Sequence, residues 1–292
     1  MKTLHEYIIN AQNNRRAIAH FNVANSDMLI AIFDAAKKVS YEYGEKIPLL
    51  IGVSEGERDA FGVTQIVDYV ASLRNEYDYP IFLNADHTYS VERTCEAIDA
   101  GFDMVIYDDA KGTYEENLAN TRQVVDYKNK INPECLVEAE FGFIGGGSDI
   151  KDVLPDGVSE ETMTNPDDAK AFIDASGIDI LAPSVGNVHG MVKTGNPALN
   201  PQRVADILAA AGVPMVLHGG SGSTDEDFVA VIESGISIIH ISTELRVAYK
   251  KGIQEMFVAE PNNIAPYKYI KKAKEDIAEI AQNRIKLFWR IK

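Results

Sequence analysis

The chain is predicted to fold as a single-domain α/β protein of the (β/α)8, or TIM-barrel, class, and three observations carry that prediction. Eight short apolar, β-branched runs alternate with segments of helical periodicity. Glycines that suit helix ends stand shortly before several of those runs. Five of the six histidines lie where an apolar run ends, each beside glycine, serine or carboxylate residues. Groups so far apart in sequence meet only where one face of a fold gathers the ends of many strands, and a parallel barrel has such a face.

The predicted strands are Ala17–Asn22, Pro48–Ser54, Pro80–Asp86, Met104–Asp108, Leu136–Phe141, Ile180–Ser184, Pro214–His218 and Ser237–Ile241. Several are continuously apolar rather than alternating, as strands covered on both faces should be. Helical periodicity separates them, for example over Ala31–Ala36 and Val91–Ile98. Ser26-Asp27, Ser90 and Thr224-Asp225 are the expected N-caps, and Gly101, Gly177, Gly212 and Gly235 the expected helix ends. Strand, loop, helix and glycine, repeated eight times, reads as a closed parallel barrel rather than an open sheet.

One connection differs from the rest. From Gly145-Gly146-Gly147 to Asn165-Pro166 the chain is acidic, lacks periodicity and follows the fifth strand. Three consecutive glycines make a soft hinge, so a lid over the site is expected, against the plainer reading of a solvated surface loop. A C-terminal helical segment, about 261–292, sets Ile270, Ile277, Ile280 and Phe288 near one helical face. That stripe should dock on the barrel or on a partner subunit.

Composition narrows the function. Lys+Arg 28 against Asp+Glu 44 gives a net charge of −16 over 292 residues, which argues against nucleic-acid and anionic-membrane partners. An anionic substrate must then be held by local groups, such as backbone N–H groups or a metal. Cys95 and Cys135 sit in apolar stretches without CxxC spacing, which fits buried thiols in a reducing compartment. The N-terminal residues have no apolar signal core, and no run approaches the ~18 apolar residues of a membrane span. A cytoplasmic protein is the expectation.

Three histidines have the company a divalent metal needs: His87 follows Asp86, His189 precedes Gly190, and His218 precedes Gly219-Gly220. Three neutral imidazoles with an open fourth position suit a catalytic Zn²⁺ that polarises a substrate oxygen. Gly219-Gly220-Ser221-Gly222 ends the seventh strand, so its backbone N–H groups and the Ser221 hydroxyl can approach an oxyanion closely. Ser242-Thr243, after the eighth strand, is placed to complete that cradle.

With these motifs in order, the chain resembles the class II, metal-dependent fructose-bisphosphate aldolase family over nearly its whole length. The motifs are His20-Phe21-Asn22-Val23, Ser54-Glu55-Gly56, Asp86-His87, Val137-Glu138-Ala139-Glu140, Gly145-Gly146, Gly186-Asn187-Val188-His189-Gly190, His218-Gly219-Gly220-Ser221-Gly222 and Thr243-Glu244-Leu245. The compact length is similar to the shorter branch, which includes tagatose-bisphosphate aldolases. The resemblance implies that His87, His189 and His218 hold Zn²⁺, with Glu140 and Asp108 near an alternative or outer position. It implies that Asp86 exchanges a proton with the oxygen of the C4 hydroxyl or aldehyde. Gly190, Gly219, Ser221, Ser242 and Thr243 would hold a phosphate, while Ser54 and Asn22 line the pocket. It further implies a monovalent cation and a homodimer or homotetramer.

Two positions depart from the family, and both bear on one proton transfer. Ser148 stands where the family's mobile loop carries a glutamate, and His240 stands where it has an asparagine at the end of the eighth strand. A serine hydroxyl is no unaided base. Three accounts are open: Asp149 swings into the missing role, His240 is the base, or the site handles a related phosphorylated ligand. The second-phosphate reader is open too, with Arg284 and Arg290 as candidates against plain packing.

The expected activity is reversible aldol cleavage of a phosphorylated ketose, with fructose 1,6-bisphosphate as the default substrate. Tagatose bisphosphate, a deoxy-ketogluconate phosphate and a sulfonated ketose phosphate are the alternatives within that chemistry. An epimerase would keep the enediolate and break no C–C bond. A non-catalytic barrel would bind sugar phosphate without turnover.

Overall fold

The computed structural model describes residues 2–109 and 112–291, so Met1 and Lys292, the end residues of the expected domain, lie outside the described residues. Eight parallel strands close into a barrel: β1 (Ile18–Asn22), β2 (Leu49–Val53), β3 (Ile81–Thr88), β4 (Met104–Tyr107), β5 (Leu136–Phe141), β6 (Ile180–Pro183), β7 (Met215–Leu217) and β8 (Ile236–Ile241). Each strand pairs with its sequence neighbours, and β8 closes on β1. β1 and β2 are buried along their whole length, which accounts for their continuous apolar patterning.

The outer layer is built of α1 (Leu4–Asn13), α2 (Ser26–Tyr43), α3 (Glu55–Phe61), α4 (Val63–Tyr77), α5 (Val91–Ala100), α6 (Tyr114–Ile131), α7 (Pro166–Ser176), α8 (Pro201–Ala211), α9 (Asp225–Ser234), α10 (Thr243–Ala259), α11 (Pro266–Tyr269) and α12 (Lys271–Phe288). Ser90 and Thr224 cap α5 and α9 as expected. α2 is capped one residue early, by Asn25, whose side chain accepts from Met28 N at 3.0 Å. Asp27 then lies in the first turn, where its charge complements the helix dipole. Gly101, Gly177 and Gly212 end their helices in the left-handed conformation, and Gly235 ends α9.

The C-terminal segment does more than dock. α12 packs on α2, α9, α10 and β1, with Ile277, Ala281, Ile285 and Phe288 buried and Ile280 half-buried. It thereby covers β1 and closes the helical ring between α9 and α2. The acidic connection holds some structure of its own. Ile150–Lys151 pairs with Met191–Val192 in a two-stranded parallel ladder, and Glu160–Thr162 forms one 3-10 turn. The expected lid is thus strapped to the segment that carries His189 and Gly190.

β3 departs from regular geometry in a way that builds the site. Successive strand residues point to opposite faces. Asp86 and His87 both reach the chamber because the register slips between Ala85 and Thr88, and His87 takes a φ of 45°. Such a bulge turns one side chain round without ending the strand. The strand runs two residues past its predicted end for the same reason.

Candidate active site

At the C-terminal mouth of the barrel, His87, Glu140, His189 and His218 bring one ligand atom each within 4.8 Å of one another. The imidazole rings stand edge-on, with His87 4.8 Å from His189 and 4.9 Å from His218 between centroids. Glu140 Oε2 lies 3.3 Å from His189 Nε2 and 3.8 Å from His218 Nδ1. His218 Nδ1 is buried with no hydrogen-bond partner among the described residues. A buried lone pair is costly without a partner, and a metal ion at this point would supply one. Three imidazoles and a carboxylate are a donor set that suits a divalent transition metal.

The groups behind these four side chains fix how they face. Asp108 Oδ2 lies 2.8 Å from His87 Nδ1, which leaves Nε2 for the centre. Glu138, fully buried on the same face of β5 as Glu140, lies 2.5 Å from His218 Nε2 and leaves Nδ1 inward. Burial raises the Glu138 carboxyl, and its charge in turn raises His218 against that histidine's own burial. One proton shared between the two is the consistent reading of that pair. Burial lowers His189. His87 is pushed up to about 10, because Asp86, Asp108 and Glu140 outweigh its burial.

Asp86 sits beside this cluster. Asn22 Nδ2 donates to its Oδ2 at 2.8 Å, and His240 Nδ1 lies 3.4 Å from its Oδ1. Burial works against the charged carboxylate, yet His87, His240 and His20 hold it well below the usual range. Asp86 is therefore ionised and able to accept a proton. His240 is itself neutral: burial, with His20 and His218 alongside, holds it well below the ordinary imidazole value.

The residues expected to form an anion cradle come together too. Gly190, Gly219, Ser221, Ser242 and Thr243 line the central chamber with Ser148 and the histidines. Gly219 has a φ of 61°, and a Cβ there would collide with the Val188 carbonyl oxygen. Only glycine lets the two loops approach so closely. Ser221 Oγ accepts from the N–H groups of Ser242 and Glu244, both at 3.3 Å, at the start of α10. That helix terminus and hydroxyl are what an oxyanion needs.

The remaining predicted residues divide between two depths. Asn22 lines both the chamber and its mouth, whereas Ser54 lines only the mouth and bonds to Glu57. Ser148 faces the chamber, and exposed Asp149 lines the mouth. Arg284 and Arg290 are tied to Glu244, Asp225 and Glu233 and line neither space. The predicted site omitted His20, Asn84 and Glu138, all buried among these groups. The alternation of Glu138 with Glu140 was the available signal for one of them.

The family model described as fructose-bisphosphate aldolase class-II matches residues 2–291. A fructose-bisphosphate aldolase of Staphylococcus aureus is 34% identical over 289 residues, covering 98% of this chain and 96% of its own. A probable fructose-bisphosphate aldolase of Bacillus subtilis is 34% identical over 286 residues, covering 97% and 95%. Among solved structures, the YdjI aldolase of Escherichia coli K12 superposes with a TM-score of 0.81 at 29% identity, covering 98% of this chain and 96% of that one. The chain belongs to the class-II fructose-bisphosphate aldolase family and is an aldolase, a lyase.

Proposed function

We propose that this aldolase reversibly cleaves a phosphorylated ketose, fructose 1,6-bisphosphate by default, to dihydroxyacetone phosphate and an aldehyde. The observation that carries the reading is Asp86, buried and ionised, beside a three-histidine donor set and facing a glycine-serine cradle. Zinc is the proposed metal, held by His87, His189 and His218 with Glu140 in reserve. Bound there, it would act as a Lewis acid toward the ketose carbonyl and offset the negative charge that develops there. A monovalent cation beside the site, a homodimer or homotetramer, and a cytoplasmic location belong to the same reading.

The chain's own groups do the rest. Gly190, Gly219, Ser221, Ser242 and Thr243 hold the phosphate and so fix where the ketose carbons lie. Asp86 takes the C4 hydroxyl proton as the C3–C4 bond breaks, and returns it in the condensation direction. Asn22 and His240 keep the carboxylate aimed. Ser148 closes the chamber without carrying a proton, so we assign the second proton exchange to the Asp86–His240 pair. Asp149 reaches the chamber only through movement of its loop.

The test is metal-loaded turnover of fructose 1,6-bisphosphate with detection of dihydroxyacetone phosphate, repeated with chelator. Chelator-sensitive product is expected. Absence of product despite bound metal, with product from Ser148→Glu, would contradict the assignment of the second proton to Asp86 and His240.

A further inference from the structure

His20 and His240 are direct register partners on β1 and β8, and both point into the barrel. Their rings stack 3.5 Å apart at an interplanar angle of 6°. His240 stacks in turn on His218, at 4.2 Å and 26°. Three imidazoles from β1, β8 and the end of β7 therefore form one column, and the outermost is a proposed metal ligand.

Room for the column is built into β2 and β3. A Cβ on Gly52 would collide with Cε1 and Nε2 of His20. Asn84 Nδ2 reaches His20 Nε2 at 3.2 Å and fixes that ring's in-plane orientation. His20 is fully buried and does not line the substrate chamber, so it has no direct hold on a substrate.

We infer that His20 is a positioning residue for the proton-handling pair: it clamps the His240 ring in the plane that keeps Nδ1 facing Asp86. The inference rests on the proposed roles of Asp86 and His240. An imidazole rotates about two side-chain bonds, and its Nδ1 here has only a 3.4 Å approach to Asp86 Oδ1 to hold it. A flat face on each side opposes rotation out of the plane in which Nδ1 faces Asp86. His218 supplies one face and is held by Glu138. His20 supplies the other and is held by Asn84, with Gly52 leaving the space.

Three variants test this in the metal-loaded enzyme: His20→Ala, His20→Phe and Gly52→Ala. Removing the ring face in His20→Ala should lower kcat roughly 10- to 100-fold, since small misplacements of a reacting group have effects of that order. KM should stay within about twofold, because the phosphate cradle is untouched. His20→Phe keeps a flat face and should recover most of the lost kcat. Gly52→Ala keeps His20 but displaces it, and should resemble His20→Ala. Metal content should be unchanged in all three, and a crystal structure of His20→Ala should show His240 Nδ1 turned from Asp86.

An unaltered kcat in folded His20→Ala would overturn the inference, as would loss of metal in step with kcat. A His240 ring still facing Asp86 in that crystal structure would overturn it too. If the wild type cleaves no ketose phosphate, the functional reading fails instead, and the crystal structure still decides whether His20 holds His240.

Discussion

His87 carries the sharpest consequence at the scale of single residues. In the metal-free chain three carboxylates push it up to about 10, so it holds a proton at neutral pH. A metal ligand must be neutral, so uptake has to displace that proton. Metal affinity should therefore fall as the pH is lowered from about 10, and calorimetry in buffers of unequal ionisation enthalpy should register a released proton. Uptake that is independent of pH and buffer would contradict it. The convergence of the candidate site was legible in the sequence wherever a motif carried it: Asp86, His87, His189, His218 and the glycine-serine loop all meet at one face. What the motifs could not convey was direction. His87 follows Asp86 and would face away on a regular strand, and only the bulge with its φ of 45° brings it in. His20 opens the motif His20-Phe21-Asn22-Val23, but a motif does not show what its ring meets, and its stacking partner lies 220 positions later.

Among the elements, the loop after β7 packs closely on the loop after β6 at Gly219 and Gly222. Gly219→Ala would place a methyl against the Val188 carbonyl in a left-handed conformation, and should cost about 1–3 kcal/mol in chemical denaturation. Because Gly219 also lines the cradle, KM for the phosphorylated substrate should rise in the same variant. Wild-type stability and KM together would show that the loops are slack. Strand positions were predicted to within a residue or two because apolar runs bounded by glycine and helical periodicity mark them. The ladder of Ile150–Lys151 with Met191–Val192 escaped prediction because two-residue strands have no period to read.

For the molecule as a whole, the barrel's ring of helices is completed by the chain's end. Phe288 is fully buried, 5.0 Å from the Phe228 ring, and its carbonyl accepts from Ala17 N at the start of the barrel. Phe288→Ala should lower unfolding free energy by about 3–5 kcal/mol, the range for deleting a large buried ring. An unchanged denaturation midpoint would mean that α12 is an appendage rather than part of the ring. The sequence showed the apolar stripe of this helix but not its seat, since a stripe specifies what is buried and not against what.

On the proposed reading, one metal held by His87, His189 and His218 supports cleavage of a ketose phosphate. The most direct measurement is metal content and fructose 1,6-bisphosphate cleavage on the same preparations of wild type and His189→Ala. Stoichiometric metal with product is expected in the wild type, and loss of both in the variant. A His189→Ala protein that keeps its metal and full turnover would contradict it.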